Sequence, residues 1–560
     1  MKTDAELFHT PGKANRGPEY MTAARPASLR YSKPAKLLEN PDAIIIGTGI
    51  GALSLASTLA QKKGMKVLML ELSKVPGGST RCHEIDGFEF NCGVDSIGDM
   101  DPRVGPGFFR PTFDYITQGK LEWAKMPEIH EKCFFGDDVY NWYSSPEKNI
   151  EWVERLFPGE GNVRAYYDLE VKTNWWTWAW AATKFLPSWV PESLREKFYS
   201  ALGGKWRKYM HRTTQQVFEG ELGFSKRLTA IFSYMYGNHG KTPDSSPFAF
   251  HSANLQHYRD GAYYPVGGPS QIANCILPIV EAAGGQVAVS CPVEKIIIEN
   301  GRAVGVRLED GREVRSKLVI SDASAWVTYM ELLPDEVRDQ HGFPALFATT
   351  GPSPAMCYLY LGYDEEIDLP AHIVWHMPRY DDVDPYDLAA ADKIFKSQMR
   401  FKGMGGYSLS PSARDPVYRQ RYPGKSTAKV LMEAPADWVK RYRDDPSWRP
   451  EFEDNIRENL MVLAHRHFPM LKGKTPKVVR TGVPVGCNPR AWGGCSLGIE
   501  PSGEHFTRDT HWLRPKTPID GLWLTGQDSL SAGICGSMMS GATTYAAMTG
   551  DYLFLLDTRL

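Results

Sequence analysis

The sequence predicts an α/β fold in which a Rossmann-type nucleotide-binding domain is interleaved with an α+β domain. Three stretches predict it: a strand, glycine turn, helix and strand from Asp42 to Arg81; hairpin signals between Val287 and Ser321; and a strand, turn and small-residue helix from Asp520 onward. At 560 residues the chain exceeds a single ordinary core, so more than one domain is expected.

Ala43-Ile44-Ile45-Ile46 has the length and β-branching of a strand buried in a parallel sheet. It runs straight into Gly47-Thr48-Gly49-Ile50-Gly51-Ala52. Gly47 permits the tight turn, Gly49 lets the backbone approach a pyrophosphate, and Ala52 stands where a small residue allows close helix-to-strand packing. Phosphates at such a turn rest on the free N–H groups of the following helix, whose dipole favours anions. That helix is expected from Ala52 to Lys63, with Gly64 as its stop. Lys66 to Leu70 reads as a second buried strand, and Glu71 follows at the spacing of a ribose-binding acid. An acid there selects a free 2′-hydroxyl, as in FAD or NAD rather than NADP. A second glycine turn, Pro76-Gly77-Gly78-Ser79-Thr80-Arg81, comes soon after.

Composition narrows the class. A net charge of −2, with no basic tract, gives no general attraction to nucleic acid. Nine cysteines without a C-x-x-C pair fit neither a disulfide framework nor a zinc site, and suit a reducing, intracellular compartment. No apolar run approaches the ~18 residues of a membrane span. Residues 1–41 are rich in Pro, Ala, Lys and Arg and lack the apolar core of a secretory signal. They read as a mobile tail or an organelle transit segment.

Further along, Asp86-Gly87 marks a hairpin, and Asn91-Cys92-Gly93-Val94-Asp95-Ser96 follows it. The densest aromatic stretch is Asn174 to Trp189, where Trp175, Trp178, Ala182 and Phe185 fall on one helical stripe with Trp176 and Trp180 beside it. Basic residues including Arg195, Lys197, Lys205 and Arg207 come next. Such a pattern suits either ordinary core or a helix lying in a lipid interface. Tyr263 to Ser270 opens a helix, and Val287–Ser290, Glu294–Glu299, Ala303–Leu308 and Lys317–Ser321 read as a meander with turns at Asn300-Gly301 and Asp310-Gly311. A charged amphipathic helix is expected near Phe452 to His467. Leu522-Trp523-Leu524 then enters Gly526-Gln527-Asp528, before a helix expected to reach Leu556. Asp528 serves there as a cofactor ligand, a helix N-cap or a surface turn acid. These readings give a tail over 1–41, a nucleotide-binding domain over 42–103, 262–325 and 484–560, and a substrate domain over 104–261 and 326–483.

The GTGIGA and PGGST turns, ITQGKLEWA (116–124), GAYYPVGG (261–268), and WLTGQDSLSAGICGS (523–537) with Ser540-Gly541-Ala542 downstream resemble the retinol saturase family. That family lies beside the carotenoid isomerases and bacterial phytoene desaturases. The resemblance implies a domain of the glutathione reductase and amine oxidase type holding FAD noncovalently, with a membrane-facing helical part in the substrate domain. It places Gly47, Gly49, Gly51, Glu71, Gly77 and Gly78 on the FAD, with Val293 offering its backbone to the adenine and Asp528 its acid to the ribityl chain. Ala52, Ser79, Gly526 and Gly536 complete the expected contacts. The final helix then points its positive end at the flavin ring. Asp95-Ser96 and Val266 stand where the family tends to carry His-Tyr and Arg.

The resemblance further implies a lipophilic conjugated polyene, a carotenoid or retinoid, as substrate, and a membrane surface as partner; plastid and endoplasmic reticulum both stay open. Asp95 is the candidate acid, with His251 and His257 as pocket or structural residues. A single glycine fingerprint leaves no second domain for NADPH, so the electron donor or acceptor is a separate partner or the substrate itself. Three readings follow: a saturase or desaturase, a redox-neutral cis–trans isomerase or hydratase, and a lipid carrier without catalytic flavin.

Overall fold

Unbroken apolar, β-branched runs are satisfied in strands covered on both faces. Ala43–Ile46, Val67–Leu70, Val319–Ser321 and Leu522–Leu524 are such runs, and with Gln286–Ala288 they build an all-parallel five-stranded sheet. In the computed structural model, which describes residues 31–101, 107–184, 186–187, 189–483, 490–503 and 513–552, the sheet order is 522–524, 319–321, 43–46, 67–70, 286–288. Most of the expected tail and Phe185 lie outside the described residues. Helix α1 (Ile50–Lys63) leaves the central strand through Gly49 and stops at Gly64, which adopts the left-handed conformation with φ of 61°.

The expected meander is corrected at both ends. Val293–Glu299 and Arg302–Leu308 pair around Asn300 and Gly301, but their third strand is Glu313–Arg315. The segments expected as the first and last strands join the parallel sheet instead, as Gln286–Ala288 and Val319–Ser321. Leu318-Val319-Ile320 has no polar alternation, so it suits a site covered on both faces rather than an exposed ribbon.

A second sheet of seven strands runs in the order Val478–Gly482, Ala355–Tyr363, Ser426–Ala434, Gly406–Leu409, Ile373–His376, Ile129–Phe135, Asp138–Tyr143. Its pairs are antiparallel except 373–376 with 129–135. Alternation sends Ala355, Cys357, Leu359, Val430 and Met432 into a core closed by Ile456, Leu460 and Leu463 of the Arg449–His467 helix. Met356, Tyr358, Lys429, Leu431, Tyr407 and Trp375 consequently share the other face.

Helices α2 (Val163–Lys184) and α3 (Glu192–Met210) pack against each other. Trp180 stacks on Trp206 with centroids 4.2 Å apart, and Trp176 stacks on Tyr209. The tryptophan stripe is therefore not one buried face. Trp175 is 57% exposed and Trp189 78%, whereas Trp178 turns inward onto Phe108.

Helix α4 (Gly533–Thr549) ends at Gly550, with φ of 75°, short of the expected Leu556. It crosses α1 on glycine: a Cβ at Gly541 would come within 2.7 Å of the Ser54 Cβ and 2.8 Å of the Leu55 nitrogen. Overpacking such a contact costs about 1–3 kcal/mol. Gly541→Ala is expected to destabilise the protein by that amount, read as a lower thermal midpoint.

Candidate functional site

A cavity of about 610 Å³ joins the carboxyl ends of the parallel strands to the aromatic face of the second sheet. Ligands of α/β proteins bind outside the carboxyl ends of parallel strands. At this end the walls are backbone. Gly47 leaves its strand with φ of 99°, and Gly77 and Gly78 turn at 115° and 55°, values that favour glycine. The two turns touch: a Cβ on Gly78 would sit 2.9 Å from the Gly49 Cα. Thr48 Oγ1 accepts the Gly77 N–H at 2.9 Å and donates to Glu71 Oε2, while Glu71 Oε1 accepts the Ser73 N–H at 2.7 Å.

Gly47, Gly49, Glu71, Gly78 and Ser79 line the cavity, as do Val293, Gly526 and Gly536. Gly51, Ala52 and Gly77 stand behind this wall; a Cβ on Gly51 would lie 2.7 Å from the Gly526 nitrogen. The amino end of α4, from Gly533 to Ser537, opens onto the cavity. Val293 contributes its carbonyl to Arg490 Nη1 at 2.6 Å, and Arg490 also pairs with Glu309. A cradle that any Cβ would fill, a helix amino end and a carboxylate at the end of the adjacent strand fit an adenine dinucleotide.

Asp528 is buried, with Oδ2 accepting the Ala325 N–H at 2.8 Å and Oδ1 the Ile499 N–H at 3.0 Å. Gly526, with φ of 93°, leads into a tight turn over Gln527–Ser529, and Gln527 lines the cavity beside it.

Sequence reasoning missed Asp322. It follows the 319–321 strand, lines the cavity and lies against the Gly49 and Ala52 backbone N–H groups at the start of α1. Burial pushes its carboxyl up to about 7, with Glu71 and Asp528 adding to the rise. Nothing in Ile320-Ser321-Asp322-Ala323-Ser324 signals this locally, since the contact depends on strand order.

At the far end, Asp95 reaches the cavity with its oxygens committed. Lys429 Nζ and Asn91 Nδ2 donate to Oδ1 at 2.8 and 2.6 Å, and the Tyr407 hydroxyl donates to Oδ2 at 3.0 Å. Lys429 is wholly buried, also donates to the Cys92 carbonyl, and sits over the Tyr358 ring. Asp99 also lines this end, its carboxyl pushed up to about 8 by burial and by Asp260, whose oxygens accept the Asp99, Met100 and Asp101 N–H groups. His257 lines the cavity and accepts the Gly98 N–H at 2.9 Å; burial holds its imidazole down to about 4. His251 lies behind, bonded to His239 and facing the Phe232 carbonyl. Among the described residues, no group of His, Cys, Asp and Glu could hold a metal ion.

The paired glycine turns, the parallel sheet and the ribose-spaced acid define a dinucleotide-binding oxidoreductase fold. Residues 45–106 match the NAD(P)-binding Rossmann-like domain and residues 201–399 the flavin-containing amine oxidoreductases. A wild-type putrescine oxidase bound to putrescine shares the fold with a TM-score of 0.57 at 14% identity, over 92% of this chain and 100% of that one. The all-trans-retinol 13,14-reductase of Danio rerio is 29% identical over 93% of this chain and 88% of that protein. The chloroplastic prolycopene isomerase of Daucus carota is 28% identical over 61% of this chain and 55% of that protein. The chain is similar to the retinol saturases and carotenoid isomerases, phytoene desaturase-like flavoproteins, and FAD is its cofactor.

Asp322 is neutral below its raised value and charged above it, and a charged carboxylate at the start of α1 repels any second anion there. FAD affinity is expected to weaken above pH 7, by up to about tenfold per pH unit. Asp322→Asn removes that slope, measured by FAD fluorescence titration of the apoprotein from about pH 6 to about pH 8.

Proposed function

We propose that the protein is an FAD-dependent enzyme acting on a carbon–carbon double bond of a lipophilic conjugated polyene, a carotenoid or retinoid, as a saturase or desaturase. One observation carries the reading: a single cavity continues from the glycine turns to a wall of Tyr358, Trp375, Tyr407, Met356 and Leu431. An apolar, aromatic wall suits a flat hydrocarbon and excludes water from the reacting bond. Gly47, Gly49, Glu71, Gly78, Ser79, Val293, Gly526 and Gly536 hold the FAD, with Gly51, Ala52 and Gly77 packing behind them. The same reading makes 42–103, 262–325 and 484–560 the FAD-binding domain, and 104–261 and 326–483 the substrate domain.

Bound FAD supplies hydride transfer and electron storage. The chain supplies the rest. The amino end of α4 favours negative charge at the cavity wall. Asn91, Lys429 and Tyr407 fix Asp95 in one orientation. The Tyr407 hydroxyl keeps a proton on the Asp95 Oδ2 side, and its own ionisation is held well up by burial and by Asp95. The alternative of a redox-neutral isomerase or hydratase shares this geometry and differs in product mass. The cofactor-free carrier reading is weakened by Glu71 and the glycine turns standing together on the cavity.

The flavin-loaded protein, incubated with a carotenoid and retinoid panel and a chemical reductant or oxidant, is expected to change a substrate by two hydrogens. Unchanged mass identifies an isomerase, and added water a hydratase. Asp95→Asn is expected to lower turnover by roughly 10²-fold with flavin absorption retained. Unaltered turnover removes Asp95 from the chemistry.

The finer part of the reading is attachment to a membrane surface. Val171, Trp175, Trp189, Leu194 and Phe198 are exposed on α2, α3 and the link between them, beside exposed Lys172, Lys197 and Lys205. Asn174, Thr177, Trp178 and Ala181 of the same α2 line the cavity, so a polyene leaving lipid at this surface has a short path inward. Among the described residues no helix is long and apolar enough to cross a membrane, so the mode is interfacial. Replacing Trp175 and Trp189 together with serine is expected to reduce cosedimentation with anionic lipid vesicles about tenfold or more, without changing FAD content.

A further inference from the structure

Among the described residues five carboxyls line the cavity, those of Glu71, Asp95, Asp99, Glu131 and Asp322. Four are committed: Glu71 to Thr48 and Ser73, Asp95 to Lys429, Asn91 and Tyr407, Glu131 to Trp375 and Tyr234, and Asp322 to the Gly49 and Ala52 N–H groups. Asp99 is the fifth. It is only 5% exposed, yet among the described residues its carboxyl makes no hydrogen bond, and its oxygens keep accessible surface. A buried carboxyl with nothing to bond is costly unless a ligand meets it. Its backbone is clamped by Asp260, whose Oδ1 accepts the Asp99 N–H at 3.0 Å and whose Oδ2 accepts the Met100 and Asp101 N–H groups at 3.1 and 2.7 Å. The clamp fixes Asp99 at φ of 51°, in the left-handed region that suits Asn, Asp and Gly, with the side chain on the cavity. Its charge is felt by the Cys535 thiol in the first turn of α4, the helix whose amino end opens onto the same cavity.

We propose that Asp99 is a proton donor of the site, delivering its carboxyl proton to the polyene carbon next to the one that receives a hydride. The proposal rests on the saturase reading of the cavity and adds to it the group that completes the step. A hydrocarbon double bond has no electronegative atom to hold the electron pair that hydride addition pushes onto the neighbouring carbon, so a positioned acid must meet that pair. In the balanced step one carbon takes a hydride from FAD that an added chemical reductant has reduced, and a first C–H bond forms. The π pair takes the Asp99 proton at the adjacent carbon, and a second C–H bond forms. The flavin is left oxidised and Asp99 a carboxylate, which water reprotonates once product leaves. Asp95, with both oxygens already accepting, has no proton free for this step. Burial and Asp260 push the Asp99 carboxyl up to about 8, so its proton is present below that value and lost above it. Asp101, His257, Tyr258 and Cys535 are the further titratable groups around it.

The test is an anaerobic single turnover. The full-length protein, its FAD reduced beforehand, is mixed with a panel of carotenes and retinoids in mild detergent, and flavin reoxidation is followed by absorbance. The wild-type rate constant is expected to hold up to about pH 8 and to fall about tenfold per pH unit beyond it. Asp99→Asn lowers the rate constant by roughly 10²-fold and removes that pH limb, with FAD content and polyene binding kept. Infrared difference spectra of wild type against Asp99→Asn, taken without substrate, show a protonated-carboxyl band that disappears between about pH 7 and about pH 9. The proposal is overturned if Asp99→Asn reoxidises at the wild-type rate, if the wild-type rate stays level through that range, or if the band is missing. Loss of FAD or of polyene binding in Asp99→Asn marks a binding role and overturns it too. A wild type whose reduced flavin no member of the panel reoxidises removes the saturase reading, and the donor with it.

Discussion

The backbone of Gly51 approaches Gly526 too closely for a side chain on Gly51, while Gly49 and Gly526 both close on the Asp322 carboxyl, and the rest of the site is referred to that contact. It brings the start of α1 beside the turn that precedes α4, two segments at opposite ends of the described chain. Gly541 repeats the condition one level deeper, where α4 passes the body of α1. The amino end of α4 opens onto the cavity, whereas the Asp322 carboxyl meets the Gly49 and Ala52 N–H groups at the start of α1. An amino end left open is what an anionic cofactor needs, because unpaired N–H groups and the helix dipole act together. Packing and cofactor chemistry thus meet in the same few glycines.

Charge in the cavity is handled by burial more than by pairing. Asp322, Asp99 and Glu131 are all displaced upward into the neutral range, each chiefly by desolvation. Lys429, a buried cation beside the cavity, is committed to Asp95 and to a backbone carbonyl. The result is a chamber with many polar atoms but little free charge near neutral pH. A hydrophobic guest can enter such a chamber without stranding an unsolvated ion.

Local pattern made much of this legible. The strand, glycine turn, helix and acid from Asp42 to Glu71 were readable because each element follows from a few adjacent residues, and the Asp86-Gly87 and Asn300-Gly301 hairpins likewise. Tyr407, Lys429, Glu131 and Asp322 were not, because register across two sheets places them together and none sits in a motif. Short strands defeated assignment for a related reason: three residues such as Gln286–Ala288 do not state which sheet they will join. Asp528 was legible as an acid in a glycine turn, and the same turn sets Gln527 on the cavity.

The interleaving of the two sheets also governs how the molecule is made. The parallel sheet draws strands from residues 43–46, 67–70, 286–288, 319–321 and 522–524, and the second sheet fills the intervals. During synthesis the nucleotide-binding half therefore stays incomplete until its last strand leaves the ribosome, with most of the polypeptide already waiting. Long-range parallel pairing is slow and leaves unpaired edges exposed meanwhile. Cells producing this flavoprotein would depend on chaperone capacity for its yield, and a premature stop shortly before residue 522 would remove the edge strand and α4 together.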